Sequence, residues 1–253
     1  MSYSDIEKIS AMAAKKKNIA EKNPKNYLFR SIVAGFYIIV ATILSYTMGA
    51  ILNPKYPELA KIMVAACFAT AIVLIYMLQA ELFTGNNLVM AMGVYDKKTN
   101  WLDALRVWGF NYIGNFIGCF ILAFILVYCG SNKEILNDYF TPLIDKKLHI
   151  PAMEMFLRGI LCNFMVCITV VIGVKVKEEI SKIVLMFLVI TAFVIGGFEH
   201  SVANMGIFSI GFFQQGALPA ALVAKSMFFV TLGNIVGGAI VLGLPLKLMS
   251  VKE

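Results

Sequence analysis

Two short polar clusters interrupt long apolar runs in this chain, and both carry groups able to do chemistry. The first reads Glu81-Leu82-Phe83-Thr84-Gly85-Asn86-Asn87, the second Gly196-Gly197-Phe198-Glu199-His200-Ser201-Val202-Ala203-Asn204. Acids, amides and imidazole are costly at membrane depth and mark pathways there. Backbone that leaves a helix in a bilayer must be buried in protein or face a watery cavity. His200 is the one histidine in an apolar run. Its ordinary pKa of about 6.5 lets it donate a hydrogen bond to a passing anion or exchange a proton with it. A buried imidazole that merely satisfies the break is the plainer alternative. Thr84, in the other cluster, could fix the ring tautomer or line the same constriction. Leu82, Phe83 and Phe193 flank the polar groups as hydrophobic gates would. Glu81 and Glu199 would repel an anion if bare, so they are expected to accept hydrogen bonds from backbone N–H groups freed at the breaks, beside Asn86 and Asn204. Asn163 is a candidate partner for His200. Lys147, in an outer loop, would concentrate anions near a vestibule. We find no nucleophile–base pair, nucleotide motif or metal-spaced His/Cys cluster, so no enzyme, cofactor or metal site is expected. The five cysteines lie in or beside apolar runs without CxxC spacing.

The elements that must position these groups are helices. The chain is 60% hydrophobic and 15% charged, against roughly a quarter charged in soluble domains. Its apolar runs suit helices crossing a hydrocarbon core of roughly 30 Å. Spans are expected at 28–52, 58–95, 101–129, 154–174, 181–211 and 218–248, the second interrupted at 81–87 and the fifth at 196–204. This is an all-α, multi-pass membrane protein with one transmembrane domain, 28–253. Residues 1–27, carrying Lys15-Lys16-Lys17, read as a cytoplasmic amphipathic segment on the membrane surface. Counting over the expected inter-span segments and span ends puts 15 Lys/Arg on the side of the termini and 7 on the other, of 22 in all. That bias places both termini in the cytoplasm. It also accounts for the net charge of +7 without nucleic acid.

The halves match in order. A shift of 128 pairs Arg30 with Arg158, Ile32 with Ile160 and Phe36 with Phe164; a shift of 118 pairs Glu81 with Glu199 and Asn86 with Asn204; a shift of 119 pairs Gly114-Asn115 with Gly233-Asn234. Three spans per unit is an odd number, so the repeat is inverted and a pathway belongs at its interface. The Gly-Asn pairs also fit close helix packing with an interhelical hydrogen bond.

Glu-Leu-Phe-Thr-Gly at 81–85, Cys-Asn-Phe-Met-Val at 162–166, Gly-Phe-Glu-His-Ser at 197–201 and Gly-Asn-Ile-Val-Gly-Gly at 233–238 together resemble the formate/nitrite transporter family. The resemblance covers the chain from about residue 28. It implies an aquaporin-like six-helix protomer in a homopentamer, in a bacterial-type inner (plasma) membrane, passing formate, nitrite or hydrosulfide. It places Thr84, His200, Asn163 and Lys147 along the pore, with Asn234 in the outer vestibule. It makes Leu82, Phe83 and Phe193 constrictions, with Phe68 and Val166 on the outer side. Gly85 departs from the pattern, where serine is expected. The competing reading is a neutral-solute pore of the water or glycerol type, but the paired Asn-Pro-Ala motif of such pores is missing.

Overall fold

The computed structural model describes residues 2–131 and 133–250. Lys252, counted above, and the last three positions of the expected domain lie outside them. Among the described residues the structure is helical: α1 (Tyr3–Lys22), α2 (Pro24–Leu52), α3 (Pro57–Phe68), α4 (Thr70–Met77), α5 (Phe83–Tyr95), α6 (Trp101–Tyr128), the short α7 (Lys133–Ile135) and a π-helical turn (Leu136–Phe140). Then follow α8 (Thr141–Leu148), α9 (Ala152–Lys175), α10 (Glu179–Ile195), α11 (Ser201–Gln215), α12 (Ala220–Ile235), a second π-helical stretch (Val236–Leu242) and α13 (Gly243–Leu248). Five stretches are long and apolar enough to cross a membrane: Pro24–Leu52, Pro57–Met77, Trp101–Tyr128, Ala152–Lys175 and Ala220–Leu248.

Local chemistry sets the ends. Ser2 and Asp5 form a capping box on α1, and Asn100 and Asp103 form one on α6; each satisfies two orphan donors. Pro24 starts α2 in the first turn, where its missing N–H costs nothing.

The long helices pair through glycine. α2 lies along α6, and α9 along α12. A Cβ on Gly118 would come within 3.0 Å of Gly35 Cα and collide with the Ile32 carbonyl. A Cβ on Gly233 would come within 3.0 Å of Gly159 Cα and collide with the Phe156 carbonyl. Lipid supplies no hydrophobic force between helices, so close backbone approach is what binds them.

The N-terminal segment differs from its expected place. Ile6, Ile9 and Ala13 of α1 are fully buried in the protein's own core. Its polar face is held by ion pairs from Lys17 to Asp103 (3.0 Å) and from Arg106 to Glu21 (2.7 Å). The helix is therefore docked on the bundle rather than seated in a lipid surface, because its apolar stripe finds a protein groove.

Candidate functional site

Both polar clusters lie where helices stop and restart, but the later part of each is helical, contrary to the expected breaks at 81–87 and 196–204. Non-helical backbone runs over 78–82 and 196–200, and Thr84–Asn87 and Ser201–Asn204 already belong to α5 and α11. Gln79 (φ 53°) and Gly197 (φ 69°) turn the chain in the left-handed region at equivalent positions. Glycine adopts that geometry freely, whereas at Gln79 it costs about 1 kcal/mol. Ala80 N–H then bonds Ile75 O (3.0 Å), as Phe198 N–H bonds Phe193 O (3.3 Å).

Asparagines, not glutamates, satisfy the freed backbone. Asn115 Oδ1 accepts from Phe83 N–H (2.9 Å), while its Nδ2 donates to Ser31 O (2.7 Å) and Glu81 O (2.9 Å). Asn234 repeats the pattern: Oδ1 accepts from Ser201 N–H (2.9 Å), and Nδ2 donates to Gly159 O (2.8 Å) and Glu199 O (3.0 Å). Both amides are fully buried, so Asn234 braces a break instead of lining a vestibule. An amide can serve two carbonyls and one N–H at once, which a carboxylate cannot.

The glutamates take cations instead, correcting the expectation that backbone would satisfy them. Glu199 receives Lys147 Nζ at 2.8 and 3.0 Å and Asn204 Nδ2 at 2.8 Å. Lys147 also donates to Asn204 Oδ1 (3.1 Å), so its three hydrogens meet three acceptors. Lys147 sits on α8 rather than in a loop. At the other break Glu81 Oε2 receives Lys16 Nζ, Tyr27 Oη (3.1 Å) and Asn86 Nδ2 (2.8 Å). Lys16, on α1, was not singled out by sequence reasoning. It sits in a lysine run that looks solvated, and no matching residue in the other half points to it. Tyr27 and Asn111, which bonds Asn86 (2.7 Å), were missed for the same reason.

His200 caps α11. Its Nδ1 accepts Ala203 N–H (3.0 Å), and Nε2 meets Thr84 Oγ1 at 2.9 Å. Since Nδ1 accepts, the proton of the neutral ring lies on Nε2 and is donated to Thr84, leaving the threonine hydroxyl hydrogen free to donate onward. Asn163 is not the partner of His200. Its Nδ2 donates to Asn234 O (2.6 Å), Asn87 Oδ1 (2.9 Å) and Thr84 O (3.2 Å), tying the two breaks together. It stands where the first half has Gly35, whose Cβ would collide with the Asn115 carbonyl.

Two cavities flank these groups. A chamber of about 10 Å³ is lined by Ile38, Phe68, Ile72, Leu82, Val166, Ile190, Phe193 and His200, among others. That is scarcely room for one water. Phe193 stacks over His200 with ring centroids 6.1 Å apart, and Phe68 meets Phe193 edge-on at 6.2 Å. Phe83 is turned away from it, against Tyr112 (5.1 Å). The chamber's walls come in equivalent pairs under the shifts noted above: Ile38 with Val166, Ile72 with Ile190, Leu82 with His200. Tyr112 and Thr231, themselves equivalent, share a hydrogen bond of 3.1 Å. Beyond Leu82 a cavity of about 470 Å³ opens under α1, lined by Lys15, Lys16, Arg30, Glu81 and Gly85, among others. A side chain at Gly85 would meet only Val170, at 3.5 Å, so a serine would fit and the glycine widens the cavity.

The arrangement is a narrow apolar chamber with one imidazole in its wall, backed by the buried Thr84 hydroxyl, and a lysine–glutamate pair at each helix break. Among known proteins, the formate/nitrite transporter family profile matches residues 4–248. The nitrite transporter NirC of Escherichia coli is 29% identical over 248 residues, 94% of this chain and 89% of that protein. A solved structure described as an FNT family ion channel superposes with a TM-score of 0.91 at 26% identity, covering 98% of this chain and 99% of that one. A pentameric formate channel with formate bound gives 0.77 at 25% identity, covering 91% and 98%.

Proposed function

Because the chain belongs to the formate/nitrite transporter family, we propose that it passes small monovalent anions of weak acids, formate, nitrite or hydrosulfide, down their gradients across a membrane. It is a transport protein, not an enzyme. The observation that carries the substrate class is the neck itself. A chamber of about 10 Å³ admits only a solute of a few heavy atoms after modest widening, and lysines mark both approaches.

The finer reading has six spans, with α3–α4 plus α5 forming the second and α10 plus α11 the fifth. The two three-span units are inverted copies. The duplicated Asn115 and Asn234 networks and the paired chamber walls support this, as does the Tyr112–Thr231 contact between equivalent residues. Both termini, and therefore α1, face the cytoplasm; the membrane is the inner (plasma) membrane of a bacterial-type cell. Five protomers assemble, each with its own pore, by analogy with the pentameric formate channel.

In this mechanism Lys16 and Lys147 draw the anion to either end of the neck. A bare charge in the apolar chamber is expensive, so the anion takes a proton from hydronium in the vestibule, leaving water, crosses as the neutral acid, and returns the proton to water on the far side. His200 acts as a neutral donor: it holds Thr84, whose hydroxyl hydrogen is left to reach a solute once the chamber widens around it. Its Nδ1 is committed to Ala203 N–H, and a second ring proton there would face that N–H and uncap α11. Leu82, Phe193, Phe68 and Val166 form the dry walls. Asn163, Asn234, Asn86 and Asn204 hold the breaks and the glutamates.

Stopped-flow flux of formate, nitrite and hydrosulfide into proteoliposomes tests the assignment. Anion-dependent uptake saturating in each case is expected. Swelling with water or glycerol but no anion uptake would favour the neutral-solute pore instead.

A further inference from the structure

The two helix breaks share equivalent glutamates and arginines, yet their charges are neutralised differently. Arg30 and Arg158 are equivalent, and each bonds the residue four positions earlier. Arg158 Nη2 donates to the Glu154 carboxylate (2.5 Å), whereas Arg30 Nε donates to the neutral Asn26 amide (2.9 Å). Asn26 and Glu154 are themselves equivalent under the same shift of 128. The outer arginine is thus cancelled by a carboxylate and the cytoplasmic one is not.

The lysines differ in the same sense. All three hydrogens of Lys147 are taken, by both oxygens of Glu199 and by Asn204. Among the described residues Lys16 makes one ion pair, to Glu81 Oε2, so two of its hydrogens remain for a ligand. Lys15 lines the same cavity and, among the described residues, has no ion pair. Glu179, the other acid in that wall, is spent on Lys182 (2.6 Å). Lys15, Lys16 and Arg30 therefore outnumber the acids available to them in a cavity of about 470 Å³.

Resting on the reading above, we infer that the cytoplasmic vestibule holds a built anion site of Lys16, Arg30 and Lys15, and that the transporter binds its small anion more tightly from the cytoplasm than from outside. Unneutralised cations in a confined cavity raise local anion concentration. The expected preference is about fivefold, the effect of one extra charge several ångströms away in a largely aqueous mouth. In a passive pathway that carries the anion with a proton, the ratio of maximal rate to half-saturation must be equal in both directions at equal pH and zero potential. Tighter cytoplasmic binding is therefore matched by a proportionally lower maximal efflux rate.

The test exchanges the neutralising residues between the mouths. Formate flux is measured from each side of uniformly oriented proteoliposomes at clamped zero potential. Asn26→Glu should raise cytoplasmic half-saturation about fivefold and leave the outer value alone; Glu154→Asn should lower the outer one. Calorimetric titration of the purified full-length protein with formate should find one site per protomer, weakened by Asn26→Glu and by Arg30→Gln. Equal half-saturation at both faces of the parent, or binding indifferent to Asn26→Glu, would overturn the inference. Binding that responds as expected, in a protein that passes no anion, would leave the site standing and sink the transport reading instead.

Discussion

Removing the Asn234 amide should destabilise the second break by an amount that its twin at the first break reproduces. Asn234→Ala strands Ser201 N–H and the Glu199 carbonyl, bonded at 2.9 and 3.0 Å, and removes a second bond of 2.8 Å from the Gly159 carbonyl, which keeps its place in the α9 ladder. Side-chain hydrogen bonds between membrane helices average about 0.6 kcal/mol, and a stranded buried group costs about 1–3 kcal/mol. Two stranded groups and one lost additional bond put the loss at about 3 kcal/mol. For a chain of this length that lowers the melting temperature by about 6–12 °C. Asn115→Ala strands Phe83 N–H and the Glu81 carbonyl and removes a second bond from the Ser31 carbonyl, which stays in the α2 ladder, so its shift should agree within about a factor of two. Asn234→Asp keeps the acceptor, loses both donors and adds a charge next to Glu199; it should be worse than alanine. Melting followed by fluorescence-detected size exclusion reads all three. Shifts under about 1 °C, or a large effect at one asparagine and none at the other, would refute the claim that a duplicated amide builds both breaks.

Lys147→Met should strand the buried Glu199 carboxylate and raise the outer half-saturation for formate about tenfold or more, read by flux from the outer face. Leu82→Ala removes the wall between the small chamber and the large cavity; it should speed formate uptake severalfold and admit larger monocarboxylates, checked by acetate and lactate competition. Asp96, at the cytoplasmic edge, is pushed up by burial, but hydrogen bonds from Lys247 and Ser10 outweigh this and hold its carboxyl below the ordinary 3.8. A lowered folded value means its contribution is present above about pH 4 and is lost only as pH falls through that lowered value. Protease protection of α1 should therefore be flat from pH 8 to 5, whereas Asp96→Asn, which cuts the tie between α1, α5 and α13, should expose α1 at neutral pH.

Much of this was legible in the residues because the bilayer makes polarity conspicuous. Glu81, Glu199 and His200 had to be functional or mutually satisfied once they fell inside apolar runs, and the Arg30–Arg158 and Gly-Asn matches pointed to a duplicated unit. What was not legible depended on contacts between distant elements. The partners of the glutamates could not be read, because Lys16 lies on a helix whose docking no local pattern encodes. Asn163 looked like a neighbour of His200 because both are polar and central, yet its carboxamide reaches Asn234 O, Asn87 and Thr84 O. The expected breaks ran too far in the C-terminal direction because Asn115 and Asn234, each over thirty residues downstream, cap the restarted helices. Phe83 read as a gate from its place in the motif, but its ring packs on Tyr112.

The central claim is that a neutral His200 donates through Thr84 to a solute that crosses with a proton from water. The most direct measurement is the pH profile of formate uptake into proteoliposomes for the parent, Thr84→Val and His200→Asn. The account expects uptake to rise as pH falls in all three, with both variants slower by about tenfold or more at every pH and the slope unchanged. A parent profile with a bend in the imidazole range that disappears in His200→Asn would show a titrating ring and contradict it.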